Sequence, residues 1–394
     1  MQLKSNVNFE DTSIAFEAKS DWALKKANIL FTVVNNPLMS GISTGSVKFA
    51  LALRLPIKWI IKNTVFEHFC GGETIAKSKA TIEELGKYNI GTILDYSVEG
   101  GNDEVSFDQT RDEIIRTIEE AAKSSTIPFS VFKTTGLASS ELLIKIQEGK
   151  TLNQSEEAAF EKIRDRVDTI CRKAFESDVP ILIDAEETWL QDPIDSLAYQ
   201  MMKKYNQEKC IVYNTFQMYR TDTLPNLKKA FKDAVMDSYY MGVKLVRGAY
   251  MEKERERAEE MGYTSPIQPN KEATDENFNK ALSYCMDNKQ RIYMVCGSHN
   301  EYSNYYLALL MEKHSLKNDD SRVWFAQLYG MSDSISFNMA KAGYNVAKYV
   351  PYGPVKSVMP YLLRRASENT SVAGQSSREL SQIRKELKRR KSLL

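Results

Sequence analysis

A chain of 394 residues that is 42% hydrophobic, with 20 Tyr, 16 Phe and 4 Trp, carries enough apolar mass for a sizeable core, which excludes a disordered or low-complexity protein. Its 53 Lys and Arg against 52 Asp and Glu leave a net charge of +1, so no global field gathers nucleic acid. The five cysteines (Cys70, Cys171, Cys210, Cys285, Cys296) form no C-x-x-C pair and fit a reducing compartment, and the three histidines (His68, His299, His314) exclude a polyhistidine metal centre.

In chain order, residues 1–86 read as helical flanking elements, with an amphipathic stretch from Val47 to His68. The apolar run from Phe49 to Ile61 is broken by Arg54, Pro56 and Lys58 and falls short of the ~20 residues of a spanning helix. Glu10 and Asp11, with neither an Arg-rich leader nor a signal-type apolar core, predict a cytoplasmic protein.

From residue 91 onward, β-branched and aromatic runs recur at 91–97, 129–134, 180–185, 210–217, 243–247, 291–296, 323–327 and 345–350, separated by segments of helical periodicity. Continuous apolar character, without polar alternation, predicts parallel strands covered on both faces. Eight such units predict a (β/α)8 barrel of TIM type over 87–375, with extra N-terminal helices and its chemistry at the carboxyl ends of the strands. Ser139 to Asp178 predicts a two-helix excursion, broken at Lys150–Gln154. Residues 376–394 form a basic tail, in which Arg384, Lys385, Lys388, Arg389, Arg390 and Lys391 flank Ile383, Leu387, Leu393 and Leu394. Such a tail is either a solvated helix or a contact with an anionic membrane surface.

Polar residues gather where the apolar runs end: Lys133, Asp184, Gln217, Arg247, His299, Gln327 and Tyr349. Asp184 follows three aliphatics and must be charge-paired or hydrogen-bonded; Lys133, at the matching end of a nearby strand, is its expected partner, in a structural pair or in a site. Lys244-Leu-Val-Arg-Gly-Ala-Tyr250 ends a strand in small residues, which either make a tight turn or let a planar ligand approach the backbone beside two cations. Gly297-Ser-His-Asn300 suits phosphate oxygens at a loop entering a helix, unless His299 is simply satisfied at the barrel end. Arg364 and Arg365, adjacent on a helix, diverge by about 100°. They converge on a carboxylate only if that helix crosses the barrel mouth, with Glu368 one turn on to hold Arg364; otherwise they form a solvated face. With neither G-x-G-x-x-G nor a P-loop, a dinucleotide would have to be held without a Rossmann domain.

Five of these segments, Ile183-Asp-Ala-Glu186, Lys244-Leu-Val-Arg-Gly-Ala-Tyr250, Ser298-His-Asn300, Gln327-Leu-Tyr-Gly-Met331 and Tyr361-Leu-Leu-Arg-Arg-Ala-Ser-Glu-Asn369, occur in the order found in the proline dehydrogenase family, which the chain resembles from Gly91 to Asn369. The resemblance implies a distorted (β/α)8 barrel that binds FAD and oxidises L-proline to Δ1-pyrroline-5-carboxylate, by hydride transfer from proline C5 to flavin N5. It also implies that Lys133, Arg364 and Arg365 hold the carboxylate of proline and that Tyr250, Leu328 and Tyr349 enclose its ring, while Glu368 orients the arginines and approaches the flavin. Gln217 would face the isoalloxazine; Lys244, Val246, Arg247, Gly248 and Ala249 would meet the ring and pyrophosphate; Ser298, His299 and Thr274 would meet the phosphates and ribose. Asp184 would sit beside the flavin and anchor Lys133 or a water, which makes Asp184, Lys133 and Lys244 the residues expected to bear on catalysis.

A tyrosine at position 349 resembles the proline-specific branch, the hydroxyproline enzymes having a smaller residue there. Lys244 stands where many members have arginine, so an ion-pair gate to Glu99 lacks a guanidinium fork. The implied partners are a membrane quinone as electron acceptor and a separate pyrroline-5-carboxylate dehydrogenase; no nucleic acid is expected. Two other readings stay open: a Schiff-base lyase built on Lys133 or Lys244, and a flavin-binding or metabolite-sensing barrel without turnover.

Overall fold

In the computed structural model, which describes residues 7–34, 62–98, 101–359, 361–362 and 375–393, all eight expected strands form. They are β1 (Ile90–Tyr96), β2 (Phe129–Lys133), β3 (Ile181–Asp184), β4 (Val212–Gln217), β5 (Met241–Val246), β6 (Ile292–Gly297), β7 (Val323–Leu328) and β8 (Val346–Tyr352). They close into a barrel in sequence order. Pairing is parallel between β1 and β8 and along the run from β2 to β7. The unbroken apolar runs have this cause: β4 and β8 are buried at every residue, because helices cover one side and inward side chains fill the other. β8 runs two residues past the expected end at 350. Pro351 cannot donate to a ladder, but its carbonyl accepts from Gly71 N–H at 2.9 Å.

The helices, in chain order, are α1 (Thr12–Ala15), α2 (Asp21–Val34), α3 (Ile75–Gly86), α4 (Glu104–Ala121), α5 (Ser140–Gln147), α6 (Gln154–Glu176), α7 (Thr188–Tyr205), α8 (Thr223–Met236), α9 (Met251–Met261), α10 (Lys271–Asp287), α11 (Glu301–Lys313), α12 (Asp333–Lys341) and α13 (Gln375–Lys391). Short helical turns at Lys62–Phe66 and Glu67–Phe69 end the expected amphipathic stretch; its earlier part, 47–61, lies outside the described residues. All five cysteines are buried thiols without a disulfide. The described residues group into two compact units, 101–326 in one, and 7–98 with 327–393 in the other.

In the first unit, α5 and α6 form the expected two-helix excursion. Asn153 starts α6 with a reciprocal cap: its side chain accepts from Glu156 N–H at 3.0 Å, and the Glu156 carboxylate accepts from Asn153 N–H at 2.8 Å. Ile163, Val167, Ile170 and Ala174 make the buried stripe of α6. Arg166, on the same helix, bonds Asp108 (2.9 Å) and Glu104 (2.7 Å) and so ties α6 to α4.

In the second unit, α1, α2 and α13 share an apolar cluster that includes Phe16, Leu24, Phe31 and Ile383. The basic tail is therefore not a solvated helix. Ile383 and Leu387 pack into that cluster, and Glu386, fully buried, accepts from Arg389 at 2.7 and 2.8 Å and from Arg390 at 2.7 Å. Burial alone would raise the Glu386 pKa, yet these guanidiniums hold it at about 2. Arg390 also donates to the carbonyls of Lys19 and Phe16, both at 2.8 Å. Of the tail's expected apolar edge, Leu393 stays exposed.

Candidate active site

Asp184 is the last residue of β3 and Lys133 the last of β2, in register with each other. An apolar strand that ends in a charged residue carries that charge to the barrel's carboxyl end. Lys133 Nζ lies 3.2 Å from Asp184 Oδ2. The second oxygen, Oδ1, accepts from Lys244 Nζ. Lys244 stands inside β5, two strands from β3, and in such a barrel alternate strands contribute to the same interior layer. The Lys133 partnership is the one expected; that of Lys244 is not, since the sequence reading turned Lys244 toward a ligand or Glu99. Burial opposes ionisation of Asp184, but Lys244 and Lys133 together hold its carboxyl below the usual range. Two ammoniums around one carboxylate leave a local charge of +1, suited to an anion or to a ring that accumulates negative charge. Lys244 is almost fully enclosed, whereas the Lys133 side chain remains 31% exposed.

Glu186, two residues past Asp184 and buried, appeared in the sequence only as part of a motif. Its carboxylate accepts from Thr135 N–H at 2.9 Å and from the Thr135 hydroxyl, which fixes the turn after Lys133. Burial pushes its pKa up to about 7, against the Thr135 bonds. The Glu186 carbonyl accepts from Gln217 Nε2 at 2.7 Å, and Gln217 Oε1 accepts from Ala249 N–H at 3.2 Å. The buried Gln217 therefore joins the loops after β3 and β5.

Beyond Val246, the last residue of β5, Arg247 donates to Asp275 (2.6 Å), Ser298 Oγ (2.7 Å) and Ser303 Oγ (2.9 Å) and stacks over Phe278. Gly248 has φ of +139°, and a Cβ there would meet the Tyr219 ring at 2.3 Å. The small residue thus has a protein neighbour to accommodate, and approach of a planar ligand is not needed to explain it. Gly248 and Ala249 are exposed, and Tyr250, half-buried, leads into α9. Glu254 on α9, buried and not anticipated, accepts from Thr188 N–H (2.7 Å) and Oγ1 (2.6 Å). It caps α7, whose own N-cap residue, Glu187, makes no side-chain cap bond and pairs instead with Lys253 at 2.8 Å. That missing cap was the one local signal.

Ser298 follows β6, and His299 beside it is half-buried. Thr274, in the first turns of α10, donates back to the Asn270 carbonyl at 3.2 Å. A guanidinium, a hydroxyl, an imidazole and exposed main chain at Gly248–Ala249 thus stand at the ends of β5 and β6, a donor set that fits the phosphates of a dinucleotide cofactor.

In the second unit, Leu328 ends β7. Tyr349 is buried in the middle of β8 and not at its end, because the strand continues to Tyr352; its carbonyl accepts from Tyr329 N–H at 2.8 Å. Gln327 Oε1 accepts from Ser336 Oγ at 2.9 Å. Arg364, Arg365 and Glu368, like Glu99, lie outside the described residues.

Comparison with known proteins adds to this geometry. A family model described as proline dehydrogenase matches residues 78–378. The chain is 33% identical to proline dehydrogenase 1, mitochondrial, of Dictyostelium discoideum, over 96% of this chain and 74% of that one. It is 30% identical to hydroxyproline dehydrogenase of Xenopus laevis, over 99% and 91%. Among solved structures, proline utilization A from Bdellovibrio bacteriovorus, inactivated by N-propargylglycine, superposes with a TM-score of 0.71 at 20% identity; the match covers 93% of this chain and 37% of that one.

Proposed function

The chain belongs to the proline dehydrogenase family, and from that premise we propose that it oxidises L-proline to Δ1-pyrroline-5-carboxylate with bound FAD, as the first step of proline catabolism, and passes the electrons to a membrane quinone. The observation that carries this reading is Asp184 held between Lys133 and Lys244.

Asp184 keeps both ammoniums charged and fixed in place. Lys133 meets the carboxylate of proline, together with Arg364 and Arg365, which Glu368 orients; Tyr250, Leu328 and Tyr349 bound the ring. Gln217, Lys244, Val246, Arg247, Gly248, Ala249, Thr274, Ser298 and His299 hold the cofactor. FAD, when bound there, would supply the two-electron chemistry. The substrate amine has to be neutral, since a secondary ammonium has no lone pair to assist hydride loss, and the two lysine ammoniums favour that neutral form. Lys244, almost enclosed beside Asp184, places a positive charge that would offset negative charge on a cofactor ring held there. Tyr349 selects proline over its hydroxylated analogue by taking up space beside the ring. A separate pyrroline-5-carboxylate dehydrogenase would consume the product.

An absorbance spectrum of purified protein, before and after anaerobic proline, tests this. The expected result is a yellow flavoprotein that bleaches. Colourless protein that borohydride links to a carbonyl substrate would instead install the Schiff-base lyase reading on Lys133 or Lys244. Arg364→Met is expected to raise KM for proline while FAD stays bound.

A further inference from the structure

The second unit buries another set of charges around the turn from Leu328 to Ser332. Lys348 is next to Tyr349 in β8, so the two side chains leave the strand on opposite faces. Its ammonium, fully buried, lies 2.9 Å from Asp333 Oδ1 and donates to the carbonyls of Met331 at 2.5 Å and Leu328 at 3.5 Å. His68 Nε2 is 2.8 Å from the Gly330 carbonyl, which can only accept, so Nε2 carries the proton. Burial lowers the His68 pKa to about 4 and keeps the ring neutral. Gly330 has φ of +76°, and a Cβ there would meet the His68 carbonyl at 2.3 Å. Ser332, also left-handed at φ +53°, starts α12 without a side-chain cap, and its N–H donates to Glu379 Oε2 of α13 at 2.9 Å.

Burying this many charges is a costly way to glue helices together, since a well-packed apolar contact would hold α13 at least as firmly. The bonds here are not spread over the interface. They converge on the main chain of one five-residue turn, at Leu328, Gly330, Met331 and Ser332, from β8, from the segment around His68 and from α13. Two left-handed residues in that turn have a conformation that main-chain bonds from outside must hold.

We propose that Glu379 and Lys348 are positioning residues that set the turn Leu328–Ser332, so that α13, which lies beyond the last of the five family motifs, governs affinity for the imino acid. The inference rests on the reading of Leu328 and Tyr349 as contacts to the proline ring. Leu328 is the first residue of the turn and Tyr349 is bonded to Lys348. A shift of the turn by a fraction of an ångström then changes ring contacts without touching the electron transfer.

The test is steady-state kinetics of the full-length, FAD-loaded enzyme with proline, together with hydrogen–deuterium exchange over Tyr329–Asp333. Glu379→Ala is expected to raise KM about tenfold, with kcat within about twofold, and to speed exchange of that turn. Glu379→Gln keeps an oxygen acceptor for Ser332 N–H and is expected to stay within about twofold of the parent on both parameters. If Glu379→Ala does not fold, Glu379→Asp, which draws the carboxylate back by about 1.5 Å, is read the same way.

Leu328→Ala runs beside them. If Leu328→Ala raises KM and Glu379→Ala leaves it unchanged, the positioning role is overturned and the ring-contact reading stands. If Glu379→Ala and Glu379→Gln raise KM equally, the bond to Ser332 is not the cause and the proposal fails. If Leu328→Ala itself leaves KM unmoved, the ring-contact reading is wrong and the positioning inference goes with it.

Discussion

Asp184 in the first unit and Asp333 in the second are each set between two lysines, Lys133 and Lys244 in one case, Lys348 and Lys19 in the other. The surroundings differ. Around Asp184 one cation, Lys133, closes a strand and stays 31% exposed at the barrel's carboxyl end, where a second anion can reach it. Around Asp333 the cation Lys348 is 1% exposed and spends its donors on the main chain of a neighbouring turn. The same ionic motif thus leaves one ammonium partly exposed at a strand end in the first unit, and is a structural joint in the second, where carbonyls take the ammonium up. Charge alone does not tell the two apart; the partners of the second lysine do.

Removing one cation from each triad gives the sharpest contrast. Lys348→Met leaves Asp333 buried with Lys19, at 3.9 Å, as its remaining ion-pair partner among the described residues, and is expected to destabilise the fold by about 3–5 kcal/mol in denaturant unfolding. Lys133→Met leaves Asp184 paired with Lys244. It is expected to cost less than about 1 kcal/mol of stability while raising KM for proline about 10- to 100-fold, the worth of one charge-assisted bond to a carboxylate. Equal destabilisation by the two variants would break the comparison.

A smaller effect concerns pH, since each region also holds carboxyls that burial shifts toward neutrality. Burial raises Glu186 from 4.5 to about 7, and burial followed by the nearby Asp333 charge does the same for Glu379. A folded pKa above the unfolded value means that the protein binds the proton more tightly when folded. The stability this adds is complete below about 4.5 and is lost as pH rises to about 7. Glu186→Gln is expected to flatten that decline by about 3 kcal/mol, leaving the shares due to Glu379 and to Asp195, which burial raises to about 6. An unchanged pH profile of unfolding would show that Glu186 keeps an ordinary pKa in the fold.

Much of the first region was legible in the amino-acid order. Ile181-Leu-Ile-Asp184 declares a buried strand that ends in a charge, and Lys133 declares the same for its neighbour, so their pairing follows from two local patterns and a barrel. Lys244 was placed in the right strand, but its bond to Asp184 was not foreseen, because it lies inside β5, where its direction depends on barrel closure. Tyr349 was read as lying at a strand end, whereas the strand runs on to Tyr352; the Gly71 N–H that bonds the Pro351 carbonyl there is 280 positions away. The basic run in α13 looked like a solvated or lipid-facing tail, since no local feature shows that Glu386 is buried beneath it or that the Lys19 and Phe16 carbonyls await Arg390.

What the sequence determined by itself was periodicity and punctuation: eight apolar runs, their order, the parallel barrel and the polar residues at the strand ends. These are local properties, carried by residues within a few positions of one another. Which distant groups meet was decided only by the tertiary structure. Glu379 reaching Ser332, His68 reaching Gly330 and Lys244 reaching Asp184 are long-range contacts created when packed elements fix direction and distance, and no one-dimensional pattern carries that information.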